Sequence, residues 1–264
     1  METRPLAGQI GAEIRGLDLK GLDDATVADL RQAILDHQIV ALPGQHIDDT
    51  QHRDLTEALG GVRPPVEYLP TNAENGHPDI AVLDSSGGIR ADIWHTDVSW
   101  SVTPPALSIL RSLIAPDAGG DTMWASQYAA YDALSASMQE FLDGLTAYHT
   151  GQNLPLEGGT IQGGREAFNA VHPVIRTHPE TGRRALYVNE TFTRRVNELE
   201  PDESDALLRF LYAHGARMEF TCRWSWTPGD VVIWDNRCVQ HYGVFDYSTH
   251  RLMHRTEVVG DEPR

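Results

Sequence analysis

Cysteine and long apolar runs are both scarce in this chain of 264 residues. Its two cysteines, Cys222 and Cys238, are too few for a disulfide framework, so we expect buried free thiols and a reducing compartment. No apolar run approaches the ~18 residues of a membrane span. Residues 1–5 also lack the apolar stretch of a signal peptide. The sequence therefore predicts a cytoplasmic protein that has no membrane partner.

Basic residues are also few compared with acidic ones. The chain has 21 basic and 38 acidic side chains, which gives a net charge of −17. Nucleic acids and anionic membranes both need a positive surface, so we exclude them as general partners. A small anionic substrate would need a local basic pocket within this acidic protein.

The chain shows no internal repeat, no low-complexity tract and no composition shift that would mark a linker. Hydrophobic residues make up 41% and charged residues 22% of the sequence, so a sizeable core is expected. The length lies within the range of one barrel-type or sandwich-type domain. We therefore predict a single domain over residues 1–264.

Hydrophobic periodicity predicts a mainly β chain with a few helices, which is an α+β class. Helix-start signals and apolar residues at helical spacing predict helices at residues 23–34, 48–59, 126–145 and 201–213. Short strands between polar turns are predicted at residues 80–83, 94–100, 106–114, 121–125 and in four segments between 218 and 259. The irregular segment 151–164 is either a lid or an insertion without a role.

The most informative motif is Trp94-His95-Thr96-Asp97. On an extended strand, residues i and i+2 point to the same face, so the imidazole of His95 and the carboxylate of Asp97 would converge. His241, which follows a β-rich run and a turn, would complete a set of two histidines and one carboxylate. That set is typical of non-haem Fe(II) oxygenases. The simpler interpretations are a polar surface strand for the pair and a hydrogen-bonded core residue for His241.

Two arginines near the end of the chain extend this pattern. Arg251 and Arg255 share one face of a predicted strand, roughly 13 Å apart. They are plain surface charges unless that face is the one toward which His241 points. In that case they would lie in the mouth of a barrel, where a guanidinium keeps its charge and pairs with carboxylates. A dicarboxylate cosubstrate beside a metal would supply the carboxylate with which such a guanidinium pairs.

Five segments of the chain stand out together, at residues 94–98, 119–122, 176–179 with 188–190, 234–241 and 251–255. In this order, and over nearly the whole chain, they resemble the taurine dioxygenase family. This is the TauD/TfdA group of Fe(II)- and 2-oxoglutarate-dependent dioxygenases. Each segment alone has low specificity, whereas their combination is highly specific.

The resemblance implies a double-stranded β-helix, or jelly roll, with flanking helices. It implies that Fe(II) is bound by His95, Asp97 and His241. It also implies that 2-oxoglutarate chelates the iron and that its far carboxylate pairs with Arg251, helped by the Thr122 hydroxyl. With O2, such an enzyme would hydroxylate its substrate and release succinate and CO2.

The resemblance also bears on the substrate and on assembly. Arg255 matches the family arginine that faces an anionic group of the substrate, and Phe192 matches an aromatic residue of the substrate pocket. Sulfonates, alkyl sulfates and carboxylates are the expected substrates. Relatives commonly form homodimers or homotetramers, so either assembly is expected here.

Two polar contacts of the taurine-specific members are missing from this sequence. Those members have an asparagine four residues before the first histidine ligand, where this chain has Ala91. They also use an upstream histidine in a region that corresponds to residues 64–68, which contain none. A site that lacks such hydrogen bonds usually rejects the polar ligand that needs them. We therefore expect weak taurine activity, or none.

Three other functions fit parts of the pattern. The same machinery could perform a hydroxylation or desaturation in natural-product or amino-acid metabolism. A non-catalytic metal-binding barrel could keep the fold without oxidation. A zinc hydrolase would also use histidine and carboxylate ligands, but it would leave Arg251 and Thr122 unexplained.

Overall fold

The computed structural model describes residues 2–87, 90–152, 155–156, 159–160 and 168–264. The α-helices in these residues are α1 (Asp24–His37), α2 (Asp49–Ala58), α3 (Gln127–Asp132), α4 (Ala136–Leu142) and α5 (Pro201–Gly215). Short 3-10 helices lie at Ala73–Asn75, Ser85–Gly87 and Met218–Phe220. None of the helices in this part of the chain combines the length and the apolar composition needed to cross a bilayer.

Strands account for most of the remaining regular structure. In chain order they are β1 (Glu2–Pro5), β2 (Ala12–Arg15), β3 (Ile39–Leu42), β4 (Val62–Arg63), β5 (Thr71–Asn72), β6 (His77–Asp84), β7 (Leu107–Ile114), β8 (Thr122–Ser126), β9 (Thr146–Thr150), β10 (Pro155–Leu156), β11 (Gly159–Thr160), β12 (Asn169–Pro173), β13 (Ile175–Thr177), β14 (Arg184–Leu186), β15 (Thr193–Val196), β16 (Thr221–Trp224), β17 (Val231–Asp235), β18 (Val239–Gly243) and β19 (Leu252–Val258). The segment 151–164, for which a lid and an insertion without a role were the two alternatives, lies largely outside the described residues.

Side-chain caps fix the starts of the first two helices where the sequence predicts them. The Asp23 carboxylate accepts a hydrogen bond from the backbone N–H of Thr26 at 2.8 Å, which begins α1. Asp48 and Gln51 exchange side-chain and backbone hydrogen bonds of 2.8 and 2.9 Å, and this capping box begins α2. Pro201 begins α5 at a position where its missing N–H costs nothing.

The single helix predicted over residues 126–145 is wrong, because the structure has two helices there. The Ser135 hydroxyl accepts a hydrogen bond from the backbone N–H of Met138 at 3.3 Å and so caps α4 as a new helix. Of the apolar side chains at helical spacing in this segment, Tyr128 and Leu142 are buried, whereas Phe141 is 47% exposed.

The larger sheet has the strand order β1-β2-β3-β17-β7-β19-β6-β5, and β4 also pairs with β19. Its outer face is covered by α1 and α2, whose Leu30 and Leu55 pack with Ile109 and Val231 in one buried cluster. Alternate residues of a strand point to opposite faces. The outer face of β17 therefore belongs to the helix–sheet core, and its inner face is free to meet a second sheet.

A smaller sheet of order β16-β8-β18 packs on that inner face. Trp124 of the small sheet and Trp234 of the large sheet lie 5.8 Å apart between ring centroids, and both are fully buried. Met253 of β19 belongs to the same cluster. Two facing sheets with interdigitated inner side chains and helices outside form a jelly roll. The predicted fold class is confirmed.

The two cysteines are free and buried, as predicted. Cys222 and Cys238 both belong to the cluster between the sheets. Burial raises the pKa of the Cys222 thiol to about 12, and it also raises the pKa of Cys238. Both thiols therefore stay protonated and contribute as small apolar side chains.

We expect acid to destabilise the fold through a buried histidine of α2. His52 is fully buried, and its Nε2 lies 3.0 Å from Thr256 Oγ1. Burial, followed by the nearby charge of Arg111, lowers the pKa of His52 from 6.5 to about 3. Between pH 6.5 and 3, His52 is therefore protonated in the unfolded chain and neutral in the folded chain. The free energy of unfolding consequently decreases as pH falls through this interval. Urea unfolding should show a loss of about 3 kcal/mol between pH 7 and 4 from this group.

The variant His52→Gln should show a shallower dependence of the unfolding free energy on pH over the same range. It should be less stable at pH 7, because a buried side chain has been replaced. Parallel curves for the two proteins would remove His52 as the source of the acid sensitivity.

Candidate active site

His95 and His241 are paired in an isolated antiparallel β-bridge. The backbone N–H of His95 donates to the carbonyl of His241 at 3.1 Å, and the reverse bond is 2.8 Å. His241 belongs to β18 at the centre of a well-formed strand, so the bridge fixes His95 against the small sheet. The imidazole centroids lie 4.0 Å apart. Both side chains are buried.

The strand predicted over residues 94–100 is wrong beyond this bridge. The chain turns immediately after Asp97, where Val98 has a φ of 53°. A positive φ is unfavourable for a β-branched residue and persists only where the surroundings impose it. The convergence of His95 and Asp97 therefore comes from a bridge followed by a turn, and the extended-strand alternation is not its cause.

Asn236 holds the backbone of Asp97 in this turn. Its side-chain oxygen accepts from the Asp97 N–H at 2.8 Å, and its Nδ2 donates to the carbonyls of Asp97 and Pro105, both at 3.0 Å. Asn236 is fully buried, in the turn between β17 and β18. The Ser108 hydroxyl of β7 donates to Asp97 Oδ2 at 2.8 Å, which fixes the plane of the carboxylate.

The remaining carboxylate oxygen of Asp97 faces both imidazoles. Asp97 Oδ1 lies 3.8 Å from His95 Nε2 and 3.8 Å from His241 Nε2. One ligand atom from each residue lies within 4.8 Å of the other two. His95 Nδ1 lies 2.7 Å from the carbonyl of Ile93, which assigns its proton to Nδ1 and leaves the Nε2 lone pair toward Asp97.

The charge states of this triad suit a metal cation. Burial lowers the pKa of His95, and burial together with repulsion from the protonated form of His95 lowers the pKa of His241 to about 3. Burial alone would raise the pKa of Asp97, but Arg255 and the two histidines outweigh it and hold the pKa below its usual value. Two neutral imidazoles and an ionised carboxylate are the protonation states that metal binding requires. The donor set therefore fits a divalent transition-metal ion.

All seven residues that the sequence singled out line one cavity of about 610 Å³. They are His95, Asp97, His241, Thr122, Phe192, Arg251 and Arg255. The buried Phe192 ring stands edge-on to His95 with 6.2 Å between ring centroids. It forms an apolar wall beside the triad, together with Leu69 and Val98.

Arg251 enters the cavity with most of its hydrogen-bonding capacity unused. Its Nε donates to the Gly120 carbonyl at 3.1 Å, and its Nη2 lies 3.5 Å from Thr122 Oγ1. In the part of the chain that the structure describes, no carboxylate lies within ion-pair distance of it. Burial lowers the pKa of Arg251, but a guanidinium remains charged. A half-buried cation of this kind requires an anionic ligand.

Arg255 is more deeply buried and is engaged by two carboxylates. Its Nη1 donates to Asp97 Oδ1 at 2.7 Å, and its Nη2 lies 3.0 Å from Glu257 Oε1. The second contact is an ion pair without hydrogen-bond geometry, and it is still attractive because Coulomb forces need no particular angle. Of the two alternatives for Arg251 and Arg255, the structure therefore has the inward one, because both line the cavity of the triad. Glu257 lies on the same side of β19 as Arg255.

Three residues that shape the site were not predicted from the sequence. Asn236 and Ser108 hold Asp97, and Glu257 holds Arg255. The period of two along β19 would have placed Glu257 on the face of Arg255. Nothing in the sequence signals that the Asn236 amide bonds a backbone 139 positions away.

Two facing sheets around a cavity that contains two histidines and one aspartate are the arrangement of the jelly-roll dioxygenase class. A family model described as taurine catabolism dioxygenase TauD, TfdA family, matches residues 2–256. The chain belongs to this family. The prediction of a 2-oxoglutarate-dependent dioxygenase of the TauD/TfdA group is confirmed.

Individual relatives cover nearly all of the chain. It is 38% identical to an alpha-ketoglutarate-dependent sulfate ester dioxygenase of Pseudomonas putida, over 100% of this chain and 91% of the relative. It is also 38% identical to an alkylsulfatase of Acinetobacter baylyi, over 99% and 86%. The crystal structure of a taurine dioxygenase from Burkholderia xenovorans superposes with a TM-score of 0.86 at 36% identity, over 99% of this chain and 90% of that chain.

Proposed function

We propose that this protein is an Fe(II)- and 2-oxoglutarate-dependent dioxygenase that hydroxylates a small anionic organic substrate, with succinate and CO2 as coproducts. One observation carries the proposal. A buried triad of His95, Asp97 and His241 shares its cavity with Arg251, a cation that has no carboxylate partner in the described chain. Either feature alone is compatible with several functions, whereas a metal beside an anion receptor matches a cosubstrate with two carboxylates.

Different residues of the cavity would bind the metal and the cosubstrate. His95, Asp97 and His241 would hold Fe(II), which when bound supplies the oxidation chemistry with O2. Arg251 would accept the far carboxylate of 2-oxoglutarate through its guanidinium fork, and Thr122 would add a hydroxyl hydrogen bond. Thr122 Oγ1 already accepts from Trp226 Nε1 at 3.0 Å, so its own proton is free to be donated.

The substrate class follows from the rest of the cavity. Its lining combines the guanidinium of Arg255 with apolar side chains that include Leu83, Ile93 and Phe192. A substrate with an anionic group beside Arg255 and an apolar body against these side chains would match both parts of the lining. Two of the most similar relatives are a sulfate ester dioxygenase and an alkylsulfatase. We propose alkyl sulfates first, and sulfonates or carboxylates of similar shape second.

The direct test is to incubate the protein with Fe(II), ascorbate, 2-oxoglutarate and a panel of hexyl sulfate, hexanesulfonate, a phenoxy carboxylate and taurine. Oxygen uptake and succinate should both rise with at least one of the first three. Absence of succinate with every substrate would contradict the proposal and favour a non-catalytic metal-binding barrel.

Taurine should be a poor substrate compared with hexyl sulfate. Ala91 lines the cavity but offers only a methyl group there, since its carbonyl accepts from the Gly243 N–H at 2.8 Å. Leaving the taurine ammonium without a partner in a desolvated site should lower kcat/KM about 100-fold relative to hexyl sulfate. The variant Ala91→Asn should narrow this gap. Comparable kcat/KM values for both substrates in the wild type would contradict the prediction.

We also propose that residues 1–264 act as one catalytic domain. The family match runs over residues 2–256, and the site combines β7 and β8 with β18 and β19, which come much later in the sequence. A homodimer or homotetramer remains a prediction from the family resemblance, and light scattering would test it.

A further inference from the structure

Glu257 introduces a negative charge beside the arginine that we assign to the anionic group of the substrate. It lies two residues after Arg255 on β19, so both side chains point to the same face of the strand. Glu257 is buried, with 4% of its side chain exposed, and its Oε1 lies 3.0 Å from Arg255 Nη2. A buried carboxylate without a partner would be costly, and here it has partners on both sides.

Arg63 is the second partner of Glu257. Its Nη1 donates to Glu257 Oε2 at 2.8 Å, and its side chain is 18% exposed. The residues therefore form a row of alternating charge, from Asp97 through Arg255 and Glu257 to Arg63. Asp97 belongs to the proposed metal ligands, so Glu257 is the carboxylate that competes with a substrate anion for Arg255.

Arg255 still has capacity for a ligand while it is paired in this way. Its Nε is buried and has no hydrogen-bond partner in the described part of the chain. The guanidinium also lines the cavity beside the triad. The pairing with Glu257 therefore reduces the positive potential of Arg255 without removing the residue from the site.

We propose that Glu257 is a specificity-determining residue: its ion pair with Arg255 weakens the attraction of the site for anionic groups. Arg63, which also pairs with Glu257, limits the strength of this effect. The inference rests on the proposed function for the identity of the anionic ligand. It deepens that function, because the affinity for a sulfate group then depends on a row of charges that extends to Arg63, an arginine outside the cavity lining.

The test is calorimetric binding of hexyl sulfate and of the uncharged 1-hexanol to protein loaded with Mn(II) and 2-oxoglutarate. Glu257→Gln removes the competing charge and keeps the shape, so hexyl sulfate should bind about tenfold more tightly, as expected for one unit charge at this range. The Kd for 1-hexanol should be unchanged. A purely structural role would shift both ligands together.

Arg63→Gln should act in the opposite direction. Without Arg63, Glu257 has only Arg255 to pair with, so hexyl sulfate should bind about threefold more weakly. This variant also covers the case in which Glu257→Gln does not fold, because Arg63 is less buried. Glu67 is an exposed carboxylate outside the cavity lining, and Glu67→Gln makes the same change in net charge as Glu257→Gln, so it should leave the Kd within about twofold of wild type.

Several outcomes would overturn the inference. They are equal shifts for hexyl sulfate and 1-hexanol, the same direction of change in both charge variants, or no hexyl sulfate binding to Glu257→Gln. Failure of the proposed function has a different signature, which is the absence of succinate from wild-type protein with every substrate. Binding and turnover therefore report on the two proposals separately.

Discussion

Replacing His95 by alanine should slow succinate formation from 2-oxoglutarate and hexyl sulfate about 10³-fold or more. Loss of an outer partner of a metal ligand already costs about 10–100-fold, so loss of a ligand should cost more. His95 would contribute one of the three proposed side-chain ligands, and its Nε2 is oriented by the hydrogen bond from Nδ1 to the Ile93 carbonyl. Succinate release and Mn(II) affinity should fall together.

The control for this experiment is His37→Ala. His37 lies at the end of α1, outside the cavity lining, so activity should stay within about twofold of wild type. The unfolding midpoint of metal-free His95→Ala should stay near that of metal-free wild type, which separates loss of the ligand from loss of the fold. Undiminished turnover by His95→Ala would remove the metal assignment.

Replacing Arg251 by glutamine should raise the KM for 2-oxoglutarate about 100-fold or more, with a smaller change in kcat. Arg251 has no carboxylate partner in the described chain, so the cosubstrate would provide the anion that its guanidinium lacks. Truncating one partner of a buried, hydrogen-bonded charge pair costs about 2–5 kcal/mol, which corresponds to this range. Initial rates against 2-oxoglutarate concentration give the measurement.

Two comparisons make the result specific to the far carboxylate. Arg251→Lys keeps the charge but loses the planar fork, so its KM should lie between those of the wild type and Arg251→Gln. A 2-oxo acid without the second carboxylate, such as 2-oxovalerate, should bind the wild type and Arg251→Gln equally. An unchanged KM for 2-oxoglutarate in Arg251→Gln would show that another group receives the cosubstrate.

The parts of the fold that follow local rules could be predicted from the sequence. Caps at Asp23 and Asp48 mark helix starts because their side chains satisfy nearby backbone groups. That Arg251 and Arg255 share one face follows from strand periodicity, which does not decide whether that face points inward. In each case the deciding contact lies within a few residues of the residue that it explains.

The turn at Asp97 and the charge row at Arg255 could not be predicted in the same way. The backbone of Asp97 departs from a strand because Asn236, 139 positions later, satisfies its N–H and carbonyl. Likewise, Arg63 pairs with Glu257 at a separation of 194 positions. Periodicity describes one element at a time, so it carries no information about which distant side chain meets a given backbone group.

The reciprocal backbone bonds between His95 and His241 have a thermodynamic consequence. They join a loop before β7 to the middle of β18, so the three ligand atoms come together only after the intervening chain has closed. An ion that needs all three ligands then binds the native state and has little affinity for the denatured state. Linkage predicts that such an ion adds about 2.7 kcal/mol of stability at a hundredfold excess over its Kd. The melting temperature should rise accordingly. Melting curves recorded at graded ion concentrations therefore measure site occupancy without any turnover.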